Sequence, residues 1–257
     1  GTAQFKDRRT VVVGSDCEIR ARRFVIATGS SPAVPPIPGL NECPYLTNET
    51  IFELTQCPKH LVVIGAGPIG LELAQAHRRL GAEVTVLEAA QPLAKDDPEC
   101  AAVVLDQLAR EGVTIRAGVR IARVERARAR VRVVLAHGDG EEVVEGSHLL
   151  VAAGRKANVE GLNLEAAGIA YEPRGIRVDS RLRTTNKKVY AIGDVVLGAL
   201  QFTHVANHHA GLVIRNALFR LPVDAGKAPI PWVTYTDPEL AQVGLSEDDA
   251  LKRHKAI

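Results

Sequence analysis

Three glycines and a more distant carboxylate carry the clearest chemistry in this sequence. Gly65-Ala66-Gly67-Pro68-Ile69-Gly70 follows the apolar run Leu61-Val62-Val63-Ile64, and Glu88 stands about 20 residues beyond Gly67. Gly65 permits a tight turn. Gly67 removes the side chain where backbone N–H groups would meet a pyrophosphate, and Gly70 lets a helix pack close to a strand. The unpaired N–H groups and positive dipole end of a helix N-terminus suit phosphate. Glu88 is placed to accept hydrogen bonds from an adenosine ribose 2′-hydroxyl; its plain alternative is a surface acid closing a strand. Ala89-Ala90-Gln91 brings no Arg to receive a 2′-phosphate, which favours NAD over NADP.

The other reactive residue types are arranged less tellingly. Cys17, Cys43, Cys57 and Cys100 form neither a CxxC nor a CxxxxC, so spacing suggests no redox dithiol and no zinc site. Scattered single cysteines fit small buried positions and a reducing cytoplasm. His208 and His209 lack partners at metal-ligand spacing and read as ordinary helix residues. A net charge of +2 over 257 residues gives no reason to expect nucleic acid. The Arg-rich run from Arg120 to Arg132 alternates with Val, Ala and Glu, as the solvated face of a hairpin does. No apolar run approaches the length of a membrane span, and no signal peptide is evident. The chain starts Gly1-Thr2 and contains no Met, which reads as a piece excised from a longer protein.

The elements that must position these residues follow from pattern. Thr10–Val13 and Glu18–Ile26 read as strands around a turn at Gly14-Ser15-Asp16. The strand ending Ala27-Thr28-Gly29-Ser30 leads into Ser31 to Gly39, whose four prolines suggest an extended linker. Thr47 to Leu54 suggests a short helix. Pro98 to Glu111 suggests an amphipathic one, capped by Asp96 or Asp97 and stopped by Gly112. Short strands are expected at Val113–Arg116 and Ile121–Val124, and a hairpin around Gly138-Asp139-Gly140. Apolar strands end at Ala153-Gly154-Arg155 and Gly193-Asp194. Thr203 to Phe219 reads as a helix, and Trp232–Tyr235 and Ala241–Leu245 as strands of a further module.

Taken in order, Ile26-Ala27-Thr28-Gly29-Ser30, the GAGPIGLE of 65–72, Ala153 to Asn158, Tyr190 to Asp194, Phe202-Thr203-His204 and Trp232 to Glu239 resemble the pyridine nucleotide-disulfide oxidoreductases. The resemblance covers nearly the whole chain. It implies an α/β architecture in which a Rossmann-like NAD-binding domain, residues 40–157, interrupts an FAD-binding fold made of 1–39 and 158–225. Residues 226–257 would begin an α+β dimerisation domain. FAD and NAD are the implied cofactors, with NADP less favoured. The implied partners are a small-molecule or small disulfide substrate and a second copy in a cytoplasmic homodimer.

By the same resemblance, Thr28, Gly29, Ser30, Gly193, Asp194, Phe202, Thr203 and His204 would face the flavin nucleotide. Gly65, Ala66, Gly67, Pro68, Ile69, Gly70, Glu72, Glu88, Ile121 and Gly154 would face NAD. Asp194 would accept from ribityl hydroxyls, with a turn cap as its plain alternative. Glu72 would sit near the nicotinamide, with a helix-surface carboxylate as the alternative. The helix beginning at Thr203 would stabilise negative charge on a reduced ring.

Three family features are missing. There is one glycine fingerprint where the family carries two, no CxxxxC, and no C-terminal His-x-x-x-x-Glu. No residue of this chain is therefore assigned a catalytic role, and none a metal. The rival readings are an isolated NAD-binding module without turnover and a flavoprotein of the NADH oxidase or ferredoxin reductase type. Lipoamide, mercuric ion and other disulfides all remain open as substrates.

Overall fold

The computed structural model describes residues 1–128, 130–138, 140–227 and 229–253. The chain divides into two compact units, one of Pro32–Gly154 with Pro231–Ile257, the other of Gly1–Ser31 with Arg155–Ile230.

The first unit is organised around a four-stranded parallel sheet. Its order is His148–Val151, His60–Ile64, Glu83–Leu87, Val113–Arg116. Strand side chains alternate between faces, and the sequence fills both faces with apolar residues. Leu61, Val63, Val84 and Val86 point to one face, against helices α1 (Pro68–Arg79) and α2 (Pro98–Arg110). Val62, Ile64, Leu87, Leu149 and Val151 point to the other, against Val124, Val131, Val133 and Leu135 of a three-stranded antiparallel sheet. Its strands are Arg120–Ala127, Arg130–His137 and Gly140–Gly146. Leu61, Val62 and Val63 are fully buried, and each contributes about 1.5–3 kcal/mol.

Several expectations need adjustment here. The short strand expected at Ile121–Val124 runs the full Arg120–Ala127. The arginine-rich run is a solvated hairpin face, as expected, and it carries ion pairs as well. Arg123 reaches Glu141 and Glu125, and Arg132 reaches Glu125. Asp139 of the expected hairpin turn lies outside the described residues. Thr47 to Leu54 makes only a single 3₁₀ turn, Ile51–Glu53. Asp97 is the cap of α2, its Oδ1 accepting from the Glu99 and Cys100 N–H groups at 3.0 and 3.3 Å.

The proline-rich segment is also less free than a linker. Ser30–Pro32 is a short strand. Further along, the Val124 N–H donates to the Pro38 carbonyl at 2.8 Å, and Leu40 is fully buried. A Cβ at Gly39 would lie 2.1 Å from the Val124 carbonyl oxygen, so only glycine permits that approach.

The second unit contains an antiparallel sheet, Ala3–Asp7, Thr10–Val13 and Cys17–Arg20, and a parallel pair, Phe24–Ile26 with Val189–Ala191. The continuous strand expected over Glu18–Ile26 is thus two strands, broken at 21–23 and belonging to different sheets. Helix α3 spans Thr203–Phe219, as its pattern suggests. Phe5, Ile26, Leu164, Ile176 and Val195 are among the buried residues of this unit's main cluster.

Candidate functional site

Each unit gathers chemistry-bearing residues at strand ends. In the first, the buried strand His60–Ile64 stops because Gly65 takes φ +108°, while its N–H is still held by the Leu87 carbonyl at 2.9 Å. A Cβ at Gly65 would stand 2.4 Å from the Ala152 carbonyl oxygen, and one at Gly70 would stand 2.1 Å from the Gly65 oxygen. These two glycines set the spacing between helix and sheet. Gly67 differs. Its φ is −79°, and nothing lies within 4 Å of a Cβ built there.

Gly67 is the N-cap of α1, Pro68 begins the helix, and no side chain caps it. Ile69 is half-buried beside them. A helix start with an uncapped, positively polarised end and an open glycine before it is a cradle for an anionic group.

Glu88 follows the neighbouring strand, Glu83–Leu87, and turns its carboxylate onto this loop. Oε2 accepts the Ala66 N–H at 2.7 Å and Oε1 the Ala90 N–H at 2.9 Å. The same turn is tied to the next strand end through Val119 N–H to Glu88 O and Gly118 N–H to Ala90 O. Ile115 to Val119, with His137 and Glu142, line a cleft of about 420 Å³ there. Ile121 packs in the apolar cluster with Leu135. Gly154 has φ +106° at the end of the segment following His148–Val151, and a Cβ there would meet nothing within 4 Å.

Glu72, on the second turn of α1, is engaged elsewhere. Its Oε1 accepts the Tyr235 N–H at 2.8 Å, and burial raises its pKa from the ordinary carboxylate value. Two neighbours extend the contact. Gln75 is buried and takes both backbone groups of Asp237, receiving its N–H at 2.8 Å and donating to its carbonyl at 2.9 Å. Arg79 binds the Asp237 carboxylate at 2.8 Å and Glu111 at 2.6 Å. Arg79, followed by Gln107, pulls the Glu111 pKa down to about 2.

In the second unit, three strand ends converge. Thr28 Oγ1 donates to the Asn158 carbonyl at 2.7 Å, Asn158 Nδ2 donates to the Thr28 carbonyl at 2.9 Å, and the Asn158 N–H donates to Gly29. Gly29 has φ +67° with open space where a Cβ would stand. Ser30 Oγ donates to Asp194 Oδ2 at 2.6 Å and accepts from Arg155 Nε at 2.6 Å. Arg155 also reaches the Ser30 carbonyl at 2.8 Å and lies 3.8 Å from Asp194. Gly193, at φ +69°, is covered by α3, whose Ala206 Cβ would be 3.0 Å from an added Cβ. Phe202 is the N-cap residue of α3; its ring stacks on His204 with centroids 5.3 Å apart, and Thr203 is exposed between them.

The structure thus brings Gly65, Ala66, Gly67, Gly70 and Glu88 into one loop cluster. It brings Thr28, Gly29, Ser30, Gly193 and Asp194 into another. A family model described as pyridine nucleotide-disulphide oxidoreductase matches residues 1–210.

The chain belongs to that family.

Mercuric reductase of Lysinibacillus sphaericus is 40% identical over 255 residues, covering 98% of this chain and 46% of that protein. Mercuric reductase of Streptomyces lividans is 38% identical over 252 residues, covering 96% and 53%. The Cu(II) complex of the HOCl-induced flavoprotein disulfide reductase RclA from Escherichia coli superposes with a TM-score of 0.89 at 31% identity, covering 97% of this chain and 57% of that one. The chain therefore spans about half the length of the curated relatives it matches, and its mixed α/β fold with a parallel, Rossmann-like sheet is that of the flavoprotein disulfide reductases.

Arg155, Asn158 and His209 hold the second cluster together and Gln75 ties α1 to Asp237, yet sequence reasoning gave them no role. His209 carried a usable signal. It lies on the same helical stripe as Val205, Leu212 and Val213, all buried. A histidine on such a stripe needs a partner. The other three depend on residues far away in the chain, which no local pattern announces.

Proposed function

We propose that this chain provides the NAD-binding unit and part of the FAD-binding unit of a flavin-dependent NAD(P)H:disulfide oxidoreductase acting on a small substrate. The open Gly67 at the uncapped start of α1 is the observation that carries it. Ala66 to Gly70 would hold the pyrophosphate, and Glu88 the adenosine ribose, releasing the Ala66 N–H as it turns to the ligand. An acid at that position favours NAD. Ser30 and Asp194 would orient the ribityl chain of FAD, with Arg155 fixing the Asp194 carboxylate. The start of α3 would face the negative end of the flavin ring. When bound, the two cofactors supply hydride transfer, from nicotinamide to flavin.

Residues 40–157 are proposed as the NAD domain, 1–39 and 158–225 as the FAD domain, and 226–257 as the start of a dimer module. We further propose a cytoplasmic homodimer. No helix among the described residues is long and apolar enough to cross a membrane.

A second reading rests on the cysteines. All four are free, and three are exposed. With no CxxxxC to carry the dithiol step of such an enzyme, this reading has the chain by itself bind cofactor without turnover. Calorimetric titration with NADH, NADPH and FAD tests both readings. NADH binding tighter than NADPH, with no NADH-dependent disulfide reduction, is expected. Failure to bind either nicotinamide nucleotide refutes the dinucleotide assignment.

A further inference from the structure

We propose that His209 is a positioning residue for the flavin contact at Asp194: its ring nitrogen fixes the strand-end turn that presents the Asp194 carboxylate. This rests on the reading of Asp194 given above. The parallel pair Phe24–Ile26 with Val189–Ala191 continues one bond further, with the Ile192 N–H on the Ile26 carbonyl at 3.0 Å. At the next residue the backbone leaves the ladder, because Gly193 takes φ +69°. Its N–H is then buried with no strand to receive it. A buried N–H needs an acceptor, and His209 Nδ1 supplies one at 3.2 Å from α3.

The arrangement dictates the tautomer. Nδ1 must carry its lone pair, so the proton of the neutral ring sits on Nε2. Protonation of the ring would set two N–H groups face to face and break the bond. Burial lowers the His209 pKa from its ordinary value, and the adjacent His208, its ring centroid 6.4 Å away, lowers it further. The other ionisable groups around it are on the facing elements. Asp194, on the turn, is occupied by Ser30 and by Arg155 at 3.8 Å, and Tyr190, on the strand, donates to Asn216. The lock is therefore closed at neutral pH and opens in acid.

The test uses the full chain in three forms: wild type, His209→Asn, whose Oδ1 can take the place of Nδ1 without titrating, and His209→Leu, which removes the acceptor. Two readouts are followed from about pH 7 to about pH 4: the Gly193 amide resonance, and the affinity for FAD by fluorescence. In wild type the Gly193 resonance should move with a midpoint below the ordinary histidine range, and FAD affinity should fall along with it. His209→Asn should keep neutral-pH affinity and lose the pH dependence. His209→Leu should bind FAD about tenfold more weakly at all pH values.

A Gly193 amide that ignores His209 protonation, or an Asn variant as weak as the Leu variant, overturns the proposal while leaving the flavin reading intact. An FAD affinity that is the same in wild type and in a fourth form, Asp194→Ala, refutes the flavin reading itself, and this role with it.

Discussion

Gly67→Ala and Gly70→Ala, three residues apart, should fail in different ways. At Gly70 a methyl group would stand 2.1 Å from the Gly65 carbonyl oxygen and 3.5 Å from the Ala152 Cβ. Relief requires α1 and the strand to part by about 1 Å, and overpacking of that kind costs about 1–3 kcal/mol. The gain in helix propensity from glycine to alanine returns at most about 1 kcal/mol. With that gain subtracted, the net loss is up to about 2 kcal/mol, a melting temperature lowered by up to roughly 8 °C. At Gly67 the methyl enters open space at an ordinary φ of −79°. Stability should stay within about 0.5 kcal/mol of wild type. The same methyl fills the cradle, and NADH affinity should fall at least about tenfold, from loss of close approach to the phosphates. Calorimetry in both modes, scanning and titration, separates the two effects. A Gly67→Ala protein that binds NADH as tightly as wild type would refute the assignment of this loop.

Three further substitutions probe the surroundings. Glu88→Gln removes the charge facing the Ala66 N–H and should weaken NADH about tenfold while sparing NADPH, so the ratio of the two affinities in titration is the check. Gln75→Leu strips the Asp237 backbone of both partners and should cost about 1–2 kcal/mol; hydrogen exchange should show the 232–242 segment opening while the parallel sheet stays protected. Glu111 titrates near 2 in the folded chain against an ordinary 4.5, so its pairing with Arg79 stabilises fully above about pH 4.5 and is lost as pH falls through about 2. Glu111→Gln should flatten the acid-unfolding curve across that window, and an unchanged curve would show the pairing to be inert.

The parts of the fold legible in sequence are those whose causes are local. Helices α1, α2 and α3 announce themselves by period, by Pro68 and Pro98 at their first turns and by Asp97 as a cap. The glycine fingerprint is legible because its strand, turn and acid are adjacent in the chain. Ala3–Asp7 escaped notice because only Phe5 in it is buried, too few residues for an alternation to show. The break at 21–23 was hidden because both flanking strands are β-rich; only their assignment to separate sheets reveals it. The apparent linker at 31–39 is pinned by Val124, and Gln75 reaches a backbone 162 residues away. Contacts of that range leave no trace in a window of sequence.

The pairing of Phe24–Ile26 with Val189–Ala191 also bears on the order of folding. Two short strands separated by most of the chain must find each other, and loop closure makes such pairings slow. The intervening unit removes much of that difficulty by itself. When it folds, the Ala33 N–H meets the Gly154 carbonyl at 2.9 Å, so its entrance and exit become neighbours. The search then runs over a loop several times shorter, a saving of about 1 kcal/mol in closure entropy. The intervening unit should therefore act as a folding template for the segments flanking it. Pulse-labelled hydrogen exchange should find Val62 and Val86 protected before Val25 and Tyr190, and the reverse order would show that the outer segments fold unaided.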